Sequence, residues 1–318
     1  MKAYAIHQAG AQPALHDLPI PDPDAGEVRV RVTAASVNGF DLAVAAGYMA
    51  PYFEYRFPVV IGRDFAGVVD ALGDGVEGFA IGDRVFGLVA RPHLEHGTFA
   101  EYTSVPVGSA VAHTPDELSD LEAASLGHTG STALTCLDAI GLERNGLQLS
   151  GLDGLTVLVV GATGGVGTLT VQLAARAGAR VLATGRTEDG RALLASFGAE
   201  PVDYTTGLAE AVRALAPTGV DAVVHLAGDP AEIAPLVRDG GAFVSPLLMA
   251  PEQVGDDRLR FAPIASYPDA GGLAALAELA AAGGLRVLVD REFELDAVVE
   301  ATGAWGRETI GNLVVTSA

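Results

Sequence analysis

The chain of 318 residues has one cysteine, Cys136, and one lysine, Lys2. A single cysteine excludes a disulfide framework and any metal site built from several thiolates. Because Lys2 lies at the N-terminus, mechanisms that need a Schiff-base lysine, a phosphate-loop lysine or a Tyr-x-x-x-Lys pair lose their central residue. The last exclusion argues against the short-chain dehydrogenases.

Basic residues are scarce overall, since 19 lysines and arginines stand against 40 acidic residues, a formal net charge of −21. That charge argues against nucleic acid or an anionic membrane surface as a partner. Long apolar runs are absent as well, and the N-terminus MKAYAIHQAG lacks the basic region and apolar core of a signal peptide. We therefore expect a soluble, cytoplasmic protein, with a length that predicts two domains.

The most informative pattern that is present is VLVVGATGGVG at 157–167. Its apolar run predicts a strand covered on both faces, as in a parallel sheet. The glycines let the backbone turn tightly and approach a pyrophosphate, while the following helix directs its free N–H groups at that anion. The predicted cofactor contacts in this turn are Gly161, Thr163, Gly164, Gly165, Val166 and Gly167.

The end of the next predicted strand, RVLAT at 180–184, indicates which dinucleotide binds. A site that prefers NAD has an acidic side chain here, about 20 residues beyond the glycines, to bind the ribose hydroxyls. This chain instead continues with Gly185 and Arg186, and Arg191 follows one helical turn later. Guanidinium groups bind a 2′-phosphate, so the sequence predicts NADPH. The alternative is that both arginines are ordinary solvated surface residues.

Three segments differ in their periodicity. The first 125 residues alternate over short runs between Pro and Gly turns, which predicts a mostly β domain. A helical pattern with Ser119 as a possible N-cap follows, and strands and helices then alternate to about Leu248, which implies a parallel sheet. An alanine-rich helix and strands at 286–289 and 312–316 complete the chain. Pattern alone leaves open which sheet these last strands join.

Several further motifs accompany the glycine turn, namely VNGFDLAVAAGYM (37–49), PVVIGRDFAGVVDALGDGVEGFAIGDRVFG (58–87), GTFAEYTSVP (97–106), GHTGSTAL (127–134), FGAEPVDY (197–204) and IGNLVV (310–315). With them, the chain resembles zinc-independent members of the medium-chain dehydrogenase/reductase superfamily, near the NADPH:quinone oxidoreductases of the ζ-crystallin type and related enoyl reductases. The resemblance implies an α/β protein with a GroES-like β-barrel domain at 1–122 and 262–318. A Rossmann domain with a doubly wound parallel sheet is implied at 123–261. Such proteins often form homodimers whose Rossmann sheets pair edge to edge, which places a strand near 242–246 at the interface.

The same resemblance tests for a metal. Zinc alcohol dehydrogenases have a cysteine ligand where this chain has Asn38, and a His–Glu pair where it has Arg63 and Asp64. Their structural zinc lobe needs four cysteines, and the corresponding region here has none. His93 and His96 without a third protein ligand make a poor zinc site. The sequence thus predicts no metal.

Without a metal the hydride acceptor must be activated already, as a quinone or an α,β-unsaturated carbonyl is, so a small-molecule substrate of this class is predicted. The resemblance places Asn38, Asp41 and Tyr48 in the active-site cleft, with Asn38 and Tyr48 as hydrogen-bond donors. Asp41 itself is predicted to orient its neighbours or to cap the helix that follows it. The alternatives are a turn at Asn38, beside Gly39, and simple packing for Tyr48.

The resemblance also implies further cofactor contacts. It places Thr132 beside the nicotinamide and Tyr204 at the adenosine end, and Asn312 stands where the family has a lysine after glycine. Leu226, Ala227 and Ser245 lie at strand ends, where doubly wound sheets bind ligands. Two other functions stay open, a non-catalytic NADPH-binding protein with a structural or regulatory role, and a zinc-type alcohol dehydrogenase.

Overall fold

The computed structural model describes residues 1–266, 269–307 and 309–317. The chain divides into two compact units, Met1–Thr129 with Pro268–Ala318, and Gly130–Tyr267. The domain bounds 1–122, 123–261 and 262–318 stay a prediction. No helix within the described ranges is both long and apolar enough to cross a membrane.

The N-terminal segment of the first unit consists mainly of short strands. They are β1 (Lys2–Ile6), β2 (Ala14–Asp17), β3 (Glu27–Ser36), β4 (Glu54–Tyr55), β5 (Val59–Val60), β6 (Asp64–Leu72), β7 (Arg84–Leu88), β8 (His93–Leu94), β9 (Tyr102–Pro106) and β10 (Val111–His113). The helices are α1 (Gly39–Ala45), α2 (Val107–Ala110), α3 (Asp120–Ala124) and α4 (Gly127–Asp138), of which α4 continues into the second unit. Strands β10, β7, β6 and β3 form an antiparallel series, β9 also pairs with β3, and β1 lies between β2 and β5 in another sheet. Strands β4 and β8 pair with each other.

The alternation in EVRVRV explains why β3 has one buried face. Val28, Val30 and Val32 are buried, whereas Arg29 is partly exposed and Arg31 is exposed. Alternation with a period of two places apolar residues on a single side of a strand. This face packs in a core that also includes Phe65, Phe99, Val105, Val298 and Leu313.

The second unit alternates strands and helices. In order they are β11 (Glu143–Asn145), β12 (Gln148–Ser150), β13 (Thr156–Val160), α5 (Gly165–Arg176), β14 (Arg180–Thr184), α6 (Glu188–Ser196), β15 (Glu200–Val202), α7 (Leu208–Leu215), β16 (Val220–His225), α8 (Pro230–Ile233), β17 (Val237–Ser245) and β18 (Arg260–Pro263). The parallel sheet has the order β15-β14-β13-β16-β17-β18. The chain therefore extends to one side of β13 and then returns to its other side, and ligands of doubly wound sheets bind at such a switch point.

Strand β13 and helix α5 show why this parallel sheet forms. Val157, Leu158, Val159 and Val160 are all buried, as expected for a strand covered on both faces. In α5 every residue from 167 to 174 is buried as well. The predicted parallel sheet is thus confirmed.

The C-terminal segment returns to the first unit with α9 (Ala270–Ala281), β19 (Val289–Glu294), α10 (Val298–Ala304) and β20 (Asn312–Thr316). Strand β20 is antiparallel to β3 and parallel to β19, which settles the pairing that the pattern left open. The expectation of a strand at 286–289 was wrong, since β19 covers Val289–Glu294 and shares only Val289 with the expected range. Strand β19 begins only at Val289 because its partner strand begins at Asn312, opposite that residue.

The strand near 242–246 is not an edge of the parallel sheet. It belongs to β17, which lies between β16 and β18, and its backbone groups are paired on both sides. The expectation that this strand is a free edge was therefore wrong, while the homodimer itself stays a prediction. Within the described residues β18 forms that edge.

Candidate active site

The glycine turn between β13 and α5 brings the helix close to the end of the strand. Gly161 has a φ of +86°, and a Cβ on Gly167 would lie 2.3 Å from the Gly161 carbonyl oxygen. Helix α5 starts at Gly165 with Gly164 as N-cap, and no side chain caps it. Its first N–H groups lack intrahelical partners and carry the positive end of the helix dipole, so this turn fits an anionic pyrophosphate.

Other predicted cofactor contacts follow the ends of neighbouring parallel strands in the same unit. Gly185 follows β14, while Leu226 and Ala227 follow β16. The backbone N–H of Leu226 donates to the Val160 carbonyl at 2.9 Å, which ties the end of β16 to the end of β13. Ser245, the last residue of β17, shares a buried hydrogen bond with His225 at 3.0 Å, a pair that sequence reasoning missed. Thr163 lies partly buried in the turn, and Val166 lies partly buried in the first turn of α5.

The arginines expected to bind a 2′-phosphate have different surroundings. Arg186 is exposed just beyond β14. Arg191 donates to the carbonyls of Gly185 and Arg186, and it forms an ion pair with Asp203 at 3.1 Å. Sequence reasoning missed Asp203 because this acid follows β15, in FGAEPVDY, while the search considered only the end of β14. Tyr204, the next residue, is 43% exposed.

Thr132 and Asn312 belong to different units of the structure. Thr132 is buried within α4. Asn312 is buried at the start of β20, where its side-chain amide donates to the Leu288 carbonyl at 3.2 Å. That contact holds the start of β20, and the predicted cofactor role of Asn312 stays a prediction.

Within the first unit, Asn38 and Asp41 form a buried polar cluster with Asp64. The Asn38 side-chain amide donates to Asp64 Oδ2 at 3.0 Å and to the Ser36 hydroxyl at 3.0 Å. The Asn38 backbone N–H donates to Asp41 Oδ2 at 2.8 Å, so Asp41 completes a capping box from the third position of α1, with Asn38 as N-cap, and does not cap a helix that follows it. Asp64 also accepts from the Ser36 hydroxyl at 2.5 Å and from the His128 backbone N–H at 2.7 Å.

Burial governs the protonation of both acids in this cluster. Burial raises the pKa of Asp64 to about 7, although hydrogen bonds from Ser36 and Asn38 favour its charged form. Burial also raises the pKa of Asp41 well above its ordinary range, and the neighbouring Asp64 charge adds to the effect. Low-dielectric surroundings disfavour a carboxylate unless it is well paired.

Tyr48 lies in the turn after α1 and is 74% exposed. Packing against the core, the alternative considered for this residue, does not describe such a side chain. Its phenol is able to donate a hydrogen bond to a bound molecule.

Asn38, Arg63 and Asp64, which stand where zinc alcohol dehydrogenases have metal ligands, do not suit a metal. An amide at position 38 and a guanidinium at position 63 are not zinc ligands. Asp64, the remaining acid, has its oxygens occupied by three donors. His93 and His96 both face Glu95, at 3.5 and 4.0 Å, yet among the described residues no group of three or more candidate ligands has an arrangement that could hold a metal ion.

Comparison with known proteins adds two family models. The alcohol dehydrogenase GroES-like domain matches residues 24–116, and the zinc-binding dehydrogenase family matches residues 165–245. A chloroplast envelope quinone oxidoreductase homologue of Arabidopsis thaliana is 30% identical over 321 residues, covering 97% of this chain and 94% of that protein. The chain belongs to the medium-chain dehydrogenase/reductase superfamily. Within it, the protein is quinone oxidoreductase-like, and both the GroES-like and the Rossmann parts of the predicted fold are confirmed.

Two other proteins extend this result. The quinone oxidoreductase from Coxiella burnetii has the same fold with a TM-score of 0.84, 28% identity and coverage of 99% of each chain. A mitochondrial NAD(P)H oxidoreductase of Mus musculus is 36% identical over 197 residues, which cover 58% of this chain and 48% of that protein. As a member of this superfamily, the protein is an NAD(P)H-dependent oxidoreductase with a nicotinamide cofactor and a small-molecule substrate.

Proposed function

We propose that the protein is an NADPH-dependent reductase that transfers hydride to a quinone or an α,β-unsaturated carbonyl compound without a metal ion. The observation that carries this proposal is the uncapped N-terminus of α5 at the glycine turn, beside a strand, β14, that is followed by Arg186 rather than by a carboxylate. The quinone oxidoreductases among the similar proteins support the acceptor class.

When bound, NADPH would supply the hydride, and all of the residues proposed to hold it except Asn312 belong to the second unit. The first amides of α5 bind the pyrophosphate, and Arg186 binds the 2′-phosphate. We further propose that Arg191 also binds the 2′-phosphate once its ion pair with Asp203 is broken. The remaining predicted contacts, with nicotinamide, ribose and adenosine, are Thr132, Thr163, Tyr204, Leu226, Ala227, Ser245 and Asn312.

The predicted catalytic residues take different parts. The Asn38 amide donates to Asp64 and Ser36, so we propose that Asn38 positions this cluster rather than the acceptor. Asp41 holds the first turn of α1 through the Asn38 backbone. Tyr48, with its exposed phenol, is the member that donates a hydrogen bond to the acceptor.

The activity is tested by following NADPH oxidation spectrophotometrically with a panel of quinones, enones and enoyl thioesters, using NADH as the control cofactor. We expect turnover with at least one class of acceptor and faster turnover with NADPH. Tight NADPH binding without turnover on any acceptor would instead favour the non-catalytic binding protein. Stoichiometric zinc in metal analysis of the active protein would favour the alcohol dehydrogenase.

The cofactor preference is tested by substituting charged residues near β14. Arg186→Gln should weaken NADPH binding about tenfold or more, as expected for a lost charge-assisted hydrogen bond, and should leave NADH binding unchanged. Arg213→Gln, which removes an exposed arginine of α7 in the same unit, is the matched control. Asp203→Asn should strengthen NADPH binding, because it removes the ion-pair partner of Arg191. Calorimetric titration with NADPH and NADH measures these affinities. Equal losses of affinity for the two cofactors in Arg186→Gln would contradict the proposal that Arg186 binds the 2′-phosphate.

Location and assembly remain part of the proposal. The cytoplasm and a homodimer were predicted, and the similar proteins include a chloroplast envelope and a mitochondrial protein.

A further inference from the structure

The guanidinium of Arg63 has unusual surroundings for a partly buried charge. Among the residues that the structure describes, it has no hydrogen-bond or ion-pair partner, and its Cζ lies 4.4 Å from the centroid of the Phe40 ring. Burial lowers the pKa of this guanidinium, but arginine stays protonated at any working pH. A guanidinium that lies over an aromatic face and donates to no described residue is able to bind an anionic oxygen.

Asp64 and Asp41 are the two acids whose charges act on Arg63, and neither accepts a hydrogen bond from its guanidinium. Asp64 has both oxygens occupied by Ser36, Asn38 and the His128 backbone. Asp41 accepts from the Asn38 backbone through Oδ2, and its buried Oδ1 has no hydrogen-bond partner. Burial raises the pKa of both acids, which disfavours their charged forms.

Arg63 and Asp41 line a small cavity that lies entirely within the first unit. Phe40, Arg91 and His93 are also in its wall. The cavity volume of about 30 Å³ holds about two water-sized groups, so it accepts the oxygen end of a molecule but not a quinone ring. Arg91, the other cation in this wall, forms an ion pair with Glu27 at 2.6 Å and so is already neutralised.

We propose that the Arg63 guanidinium binds the acceptor oxygen on which negative charge develops during reduction. This inference rests on the proposed function. Hydride from the nicotinamide would add to the β-carbon of the enone, so that a C–H bond forms there as the C–H bond of the cofactor breaks and NADP⁺ is left. The C=C electron pair would then form a bond to the carbonyl carbon, and the C=O π pair would move to the oxygen, which takes the negative charge. A proton from water completes the reduced product, so one NADPH and one proton are consumed for each acceptor. Arg63 thereby supplies positive charge at a sequence position where zinc relatives have a metal ligand.

The test uses 4-nitrophenolate as a stable oxyanion probe, with its binding followed by absorbance at a pH where the phenol is ionised. The proteins are the wild type, Arg63→Gln, Arg63→Lys and the matched control Arg31→Gln, which removes an exposed arginine of β3 in the same unit. We expect Arg63→Gln to bind the probe about tenfold or more weakly, and Arg63→Lys, which keeps the charge, to be intermediate. Arg31→Gln should match the wild type.

Steady-state kinetics of the same variants, with thermal unfolding as a check on folding, completes the experiment. The acceptor kcat/KM should fall in Arg63→Gln by a factor similar to the loss of probe affinity, while the Kd for NADPH stays unchanged. Equal probe affinity in the wild type and Arg63→Gln, no probe binding by the wild type, or full turnover in Arg63→Gln would each overturn the inference. Absence of turnover in the wild type would overturn the proposed function instead, since probe binding reports on Arg63 without turnover.

Discussion

At the scale of single residues, buried acids set the chemistry of the first unit. Asp64 is fully buried, and three donors occupy its carboxylate oxygens. Its raised pKa nevertheless shows that these donors do not fully replace the water lost on burial. A group that holds its proton more tightly when folded makes stability depend on pH.

We expect Asp64 to make folding less favourable as pH rises from about 4 to about 7. Its folded pKa of about 7 exceeds the ordinary aspartate value of 3.8, so in that window the folded state binds more protons than the unfolded state. The contribution to the free energy of unfolding then falls with pH, by at most about 1.4 kcal/mol per pH unit. Asp64→Asn should make the slope shallower by this contribution, while the raised pKa of Asp41 keeps its own contribution.

Urea unfolding of both proteins at several pH values gives the two slopes. Asp257→Asn is the control, because it changes an exposed carboxylate and should keep the wild-type slope. Identical slopes for the wild type and Asp64→Asn would show that Asp64 titrates normally.

At the scale of elements, the β13–α5 crossover shows how close packing demands glycine. Gly167 and Gly161 meet where the helix crosses the end of the strand, and a Cβ at 167 would also lie 2.6 Å from Ala162 Cα. At Gly164 a Cβ would lie 3.6 Å from the Gly161 carbonyl oxygen, an ordinary contact, and φ is −74°. The two glycines thus differ in the reason for their presence.

Gly167→Ala should lower the free energy of unfolding by about 1–3 kcal/mol, the usual cost of forcing an extra carbon into a packed contact. It should also weaken NADPH binding, since the helix must move away from the strand. Gly164→Ala is the matched control and should change stability by about 0.5 kcal/mol or less. Urea denaturation measures the free energy of unfolding of both variants, and calorimetric titration measures their affinity for NADPH. Equal stabilities for the two variants would contradict this account of the crossover.

At the scale of the whole molecule, the two ends of the chain form one unit, and the parallel-sheet unit is inserted between them in the sequence. Strand β20 pairs with β3 on one side and with β19 on the other. Leu313, Val314 and Val315 are buried, so β20 contributes core as well as hydrogen bonds. The first unit is therefore incomplete until the last residues have been added.

A chain that ends at Gly311 should fail to fold its first unit, because β3 and β19 lose their common partner and the core loses three buried side chains. Near-UV circular dichroism and thermal unfolding measure the loss. A chain that lacks only Ala318 is the control and should behave as the wild type. A wild-type melting transition in the chain ending at Gly311 would contradict the role given to β20.

The sequence by itself determined the β13–α5 crossover with its glycine turn. It also determined which residue types stand where zinc alcohol dehydrogenases have metal ligands. The strand bounds at 180–184 and 312–316, the N-cap at Ser119 and the glycine turn follow from residues close together in the chain, where local backbone preferences decide. The capping box between Asn38 and Asp41 is also local, since it joins residues three positions apart. Identities at Asn38 and Arg63 exclude zinc ligands without any coordinates.

Only the tertiary structure decided which distant groups meet. It paired Arg191 with Asp203, joined Asn38 to Asp64, seated β20 beside β3 and left the Arg63 guanidinium over Phe40 without a polar partner among the described residues. These contacts join residues that are far apart in sequence or lie on different elements, and no local periodicity encodes them. The physical reason is that burial and charge compensation depend on the groups packed around a side chain, which folding alone assembles.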